Sequence, residues 1–144
     1  MPNLSALLRL FNHIPLLRAL FEALADEQPV PHPLEVPVAA RLSLLAALHQ
    51  TLQTPILFIT GRADRARIVA DQLRFWAANP TLVLRLPDPG VLPYEQIAWN
   101  QETIAGRLAA LTALVTAGGP ETAPLVVASA RALMQKTMPP GWLT

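Results

Sequence analysis

Cysteine is absent from the 144 residues. This excludes disulfides, thiolate metal ligands and thiol nucleophiles, and it fits a cytosolic setting, so a cytoplasmic location is expected. Lysine is nearly absent: Lys136 stands alone beside ten arginines. Charged residues make up only 15% of the chain and the net charge is +1, so no strong field draws in nucleic acid and tight direct DNA binding by this piece is not expected. Glycine is scarce, and none precedes Gly61. That matters because a nucleotide-binding phosphate loop needs glycines whose N–H groups cradle phosphates, a lysine for the β and γ phosphates, and a Ser or Thr for magnesium. The stretch where such a loop would lead into a helix reads Leu34-Glu35-Val36-Pro37-Val38-Ala39-Ala40-Arg41. It holds none of those groups. Long uncharged apolar runs are missing too. The N-terminus begins Met-Pro-Asn and carries Arg9 and Arg18 inside its apolar pattern, so it reads as neither signal peptide nor membrane span.

What is present is 52% hydrophobic residues and fifteen prolines. The length suits one domain with a real core, or a piece of a larger protein, and one domain is expected. With so few charges, some apolar surface should meet a partner or a further domain. Residues 3–25 predict two short helices, with Pro15 near the first position of the second, or one helix kinked at Pro15. They read as a helical appendage, followed by a connector carrying Pro29, Pro31, Pro33 and Pro37. Leu4, Leu8 and Phe11 form a stripe too apolar to stay bare, so it should pack on the body of its own chain or on a second copy.

From residue 36 strands and helices alternate. Val38, Leu42, Leu45 and Leu52 mark a helix, and Ile56 to Ile59 reads as a parallel strand covered on both faces. Thr60-Gly61 turns into a helix holding Ile68, Val69, Leu73 and Trp76. Leu82 to Leu84 and Leu125 to Ala128 are further strands. The clearest unit runs from Arg85 to Val115. Its strand stops at Pro87-Asp88-Pro89-Gly90, an irregular loop follows, and Asn100 caps a helix whose Ile104, Leu108, Leu111 and Val115 recur at helical spacing. Ser129 caps a short last helix. The pattern is a three-layer α/β fold with a mostly parallel sheet flanked by helices. Its long loop lies at the carboxyl edge of the strands, the usual place for a site.

Candidate chemistry there is sparse. The turn Thr60-Gly61-Arg62-Ala63-Asp64 either holds an anion on its free N–H groups or is an ordinary tight turn. Glu95 and Glu102 are the close carboxylates of the loop edge, either an acid/base pair or a solvated residue and a dipole-stabilising one. Tyr94 and Trp99 either stack on a base or pack the loop onto the sheet. His13, His32 and His49 lie in three different elements without acid or thiol at ligand spacing, so no metal site is expected. Ser5, Ser43 and Ser129 lack a nucleophile context. No catalytic residue is expected.

The sequence Leu86-Pro-Asp-Pro-Gly-Val-Leu-Pro-Tyr-Glu, with the Leu-Pro-Tyr-acid loop at Leu92 to Glu95, resembles the N-terminal module of the bacterial transcription-repair coupling factors (Mfd). That module is itself similar to domain 1A of UvrB. The likeness runs from about Val36 to Trp142, through the Arg107-Leu108 helix and the Val126-Val127 strand leading into Ala132 to Lys136. It implies residues 1–35 as appendage and connector, then residues 36–144 as a degenerate RecA-like, P-loop-NTPase-like domain cut short at its C-terminus. It further implies a parent protein that displaces stalled RNA polymerase on DNA and recruits excision repair, its ATP- and magnesium-dependent motor lying elsewhere. The fragment itself would be a scaffold with no cofactor, contacting other domains of the parent, with UvrA docking on the following domain. Leu92, Pro93, Tyr94, Glu95, Trp99 and Arg107 are the candidate interaction or loop-edge residues. Two rivals are a small nucleotide-dependent α/β enzyme and a free-standing interaction domain.

Overall fold

Proline sets the first boundary. In the computed structural model, which describes residues 3–29, 34–90 and 98–143, Pro15 occupies the first turn of α1 (Pro15–Ala25), immediately after a 3-10 helix over Ser5–His13. Its fixed φ suits a helix start and its missing N–H removes no bond there. Two helices therefore form where a single one would have to break. A 3-10 turn at Val38–Ala40 then opens α2 (Arg41–Leu52), and β1 (Ile56–Thr60), α3 (Ala63–Trp76), β2 (Val83–Leu86), α4 (Gln101–Thr116), β3 (Leu125–Ser129) and α5 (Ala130–Leu133) follow.

The three strands are parallel in the order β1-β3-β2. Their crossovers place α3 on one face and α4 on the other. Val69 and Leu73 of α3 share a cluster with Leu125, Val127 and Val83, while Ala110 of α4 packs with Val126, Ala128 and Leu86. Alternate residues of β3 thus feed opposite layers, and all five are buried because β3 lies in the middle. The α/β reading stands, with helices on both sides of a small parallel sheet.

The segment read as an appendage packs tightly. Leu8, Leu17 and Phe21 lie in the same cluster as Leu44, Ala46 and Ala47 of α2. Phe11 packs against that cluster, whereas Leu4 stays 41% exposed. The Leu4 N–H donates to Phe75 O at 2.8 Å, and Asn3 Nδ2 donates to Ala77 O at 2.9 Å, tying residues 3 and 4 to the end of α3.

Two expectations need correcting. β1 is not covered on both faces: it lies at the sheet edge, and Leu57 and Ile59 are 43% and 53% exposed. Among the described residues, helix α4 packs over β2 and β3, and no residue of β1 joins the cluster on that side. The apolar spacing in α4 also misleads, because Ile104, Leu108 and Val115 are exposed while Thr103, Arg107 and Ala110 are buried. Leu111, from the same set, does pack toward the sheet together with Leu114. A Cβ on Gly106 would sit 3.0 Å from the Pro87 ring, so close approach at the end of β2 favours a small residue there and turns the neighbouring large residues away.

Candidate functional site

The carboxyl ends of parallel strands bring together whatever residue follows each one. Here these are Thr60 and Gly61 at the end of β1, Pro87-Asp88 after β2, and Ser129 with Arg131 at and just after the end of β3. Asp88 is the centre. Its Oδ1 accepts the Gly90 N–H at 2.8 Å, an Asx turn made possible by Gly90 at φ 79°. Its Oδ2 accepts Arg131 Nε at 2.7 Å and Ser129 Oγ at 3.4 Å. Burial pushes the Asp88 carboxyl up, but the Arg131, Gly90 and Ser129 donors outweigh it and hold the pKa below the usual carboxylate value. Ser129 also caps α5, its Oγ accepting the Ala132 N–H at 3.1 Å.

Arg107 reaches the same edge from α4. Its Nη1 donates to Pro87 O and to Ala132 O, both at 3.0 Å, joining the end of β2 to the helix after β3. Burial lowers its pKa and the Asp88 charge opposes that shift. The guanidinium carbon sits 5.2 Å from the centroid of the Trp99 ring, a cation–π distance. Nη2 is buried with no hydrogen-bond partner among the described residues.

The residues expected at this edge divide into two groups. Trp99 and Arg107 are brought together. Leu92, Pro93, Tyr94 and Glu95 lie outside the described residues. Glu102 is in the first turn of α4 and 90% exposed, with only a 3.9 Å approach to Arg85. The expectation that Glu95 and Glu102 are the carboxylates of this edge needs correcting: Asp88 and Asp64 lie there, on an open depression of about 470 Å³ lined also by Gly61, Arg62 and Arg131. Sequence reasoning overlooked the Asp88–Arg131 pair, whose members are 43 residues apart. The available signal was topological, since parallel strands must bring their following residues together.

The Thr60-to-Asp64 turn is internally committed. Thr60 Oγ1 donates to Arg62 O at 2.9 Å, and Asp64 accepts both the Arg65 N–H at 2.9 Å and the Arg62 side chain at 3.1 Å. Those partners, Arg62 first, lower the Asp64 pKa. The start of α3 thus carries its own anion. His49 Nε2 is 2.9 Å from Ala123 O, a packed histidine, and no cluster of metal-ligand side chains occurs among the described residues.

Comparison with known proteins returns a transcription-repair-coupling factor of Myxococcus xanthus, 34% identical over 106 residues that cover 70% of this chain. This chain is a relative of the transcription-repair-coupling factor. It spans 9% of that coupling factor's length. No family model matches it, and no solved structure does. Among the described residues no helix is long and apolar enough to cross a membrane.

Proposed function

We propose that the chain is a non-catalytic scaffold portion of a transcription-repair-coupling factor, a degenerate RecA-like subdomain similar to domain 1A of UvrB. The observation that carries this is the likeness to the coupling factor over 106 residues, on a chain whose residues 34–41 contain neither glycine nor lysine. The polar atoms at the sheet's carboxyl edge support it. Asp88, Arg107, Ser129 and Thr60 each bond within the protein, which serves rigidity and leaves little for substrate. On this reading the parent polypeptide displaces stalled RNA polymerase in the cytoplasm, using a motor that holds ATP and magnesium elsewhere. A domain following this one docks UvrA, and this portion holds that domain in place. Fold and activity separate readily in such proteins, because packing survives the loss of catalytic groups.

Calorimetry with Mg-ATP tests the reading. No binding is expected. A dissociation constant below about 100 μM, roughly −5.5 kcal/mol, would overturn it and favour a small nucleotide-dependent enzyme instead.

A further inference from the structure

The two faces of the sheet differ in cover and in charge. Packed helices lie about 10 Å apart and strands about 4.8 Å apart, so one helix covers roughly two strands. Helix α4 covers β2 and β3 through Ala110, Leu111 and Leu114, which leaves Leu57 and Ile59 of β1 bare on the same face.

The geometry of α4 supplies a second wall. Residues advance about 100° around a helix. With Thr103, Arg107 and Ala110 facing the sheet, Gly106 falls on one flank, where it meets Pro87 at the end of β2. Ile104, Leu108 and Val115 fall on the opposite flank. Because β2 and β1 are the two edges of the sheet, that opposite flank looks toward β1. The right-handed sense of parallel crossovers gives the same placement. Ile104, Leu108 and Val115 are 42%, 38% and 37% exposed. Beyond its first turn the only charge on α4 is Arg107, which is buried. The exposed side of α3, by contrast, carries Arg65, Arg67 and Asp71. Nor does β1 hold the lysine or proline that usually protects a free edge.

We propose that this trough, with Leu57 and Ile59 as floor and the Ile104-Leu108-Val115 flank as wall, seats an α-helix from another portion of the same, longer polypeptide. It is one helix wide and uncharged, so it selects a helix with an apolar stripe lying alongside α4 and does not suit a charged partner. The chain matches only 9% of the length of its coupling-factor relative, so such a polypeptide has ample material for the cover. A tethered helix also outcompetes a second copy through its high effective concentration. This inference rests on reading the chain as one portion of a coupling factor. It does not depend on nucleotide binding, so a failed trough test leaves the ATP prediction intact, and the converse holds.

The absence of cysteine makes the test direct. Single-cysteine variants Ile59→Cys and Leu108→Cys, with Arg67→Cys on the exposed side of α3 as control, are made in the 144-residue chain. The same three are made in the full natural polypeptide, with any other cysteine there replaced by serine. Maleimide labelling in the short chain should be rapid at all three sites. In the full polypeptide, labelling at the two trough sites should slow by about tenfold or more, as expected for groups reached only through local opening, while the control keeps its rate. Equal rates at all three sites in the full polypeptide would overturn the proposal. Protection in the short chain that rises with protein concentration would overturn it too, since a second copy would then be the occupant. Amide exchange of β1 and α4 in the unsubstituted proteins reads the same outcomes should a cysteine disturb folding.

Discussion

Asp88 shows how one side chain can order an entire edge. Its side chain is only 3% exposed and its carboxylate gathers donors from Gly90, Ser129 and Arg131, so its charge is matched where little water reaches it. Burial opposes ionisation and the Arg131, Gly90 and Ser129 donors favour it, the net result being a lowered pKa. A carboxylate with a folded pKa below its unfolded value adds stability above the unfolded value, about 3.9. That stability is lost as pH falls through the lower folded value. Asp88→Asn should therefore destabilise the chain by about 1–3 kcal/mol at neutral pH, where a charge-assisted bond is lost. Urea denaturation at pH 7 and pH 3 should show the gap from wild type closing on acidification. A gap of constant size at both pH values would remove the carboxylate charge from the explanation. Arg107 acts beside it in a different way, tying together the carbonyls of two buried residues, Pro87 and Ala132.

Helix α4 is the element on which simple periodicity fails. Its Asn100 cap is read correctly from sequence and forms, with Oδ1 accepting the Thr103 N–H at 2.7 Å. Of its apolar stripe only Leu111 packs on the sheet cluster, while Ile104, Leu108 and Val115 stay exposed, because spacing records which side chains are large and not which face can approach a strand end closely. The deciding residue is Gly106, where an added Cβ would sit 3.0 Å from the Pro87 ring, tighter than an ordinary contact. Gly106→Val should push α4 off the turn and cost about 1–3 kcal/mol through overpacking, despite removing a helical glycine worth up to about 1 kcal/mol. Thermal unfolding reads the balance, and an unchanged or raised Tm would mean that α4 does not depend on this contact. Strand β1 carries the same lesson: an uninterrupted apolar run is compatible with a central strand and with an edge whose cover comes from elsewhere.

At the scale of the whole molecule, the N-terminal helices are part of the core. Leu8, Leu17 and Phe21 fill the outer side of α2, and burying such side chains is worth about 1.5–3 kcal/mol each before entropy is subtracted. Deleting residues 1–25 should lower the denaturation midpoint and reduce solubility by baring α2; a truncated chain with the midpoint and sedimentation of the parent would show the segment to be dispensable. The sequence by itself determined the alternation of strands and helices, the breaks at Pro15 and Pro87, the caps at Asn100 and Ser129, and the absence of phosphate-loop groups. These are local matters of dihedral preference, hydrogen-bond donors and missing atoms. Only the tertiary structure decided that β1 is an edge, that α4 turns Arg107 inward and its larger residues sideways, and that Asp88 meets Arg131. Those outcomes depend on which strands become neighbours and how closely backbones pack, quantities that no window of consecutive residues contains.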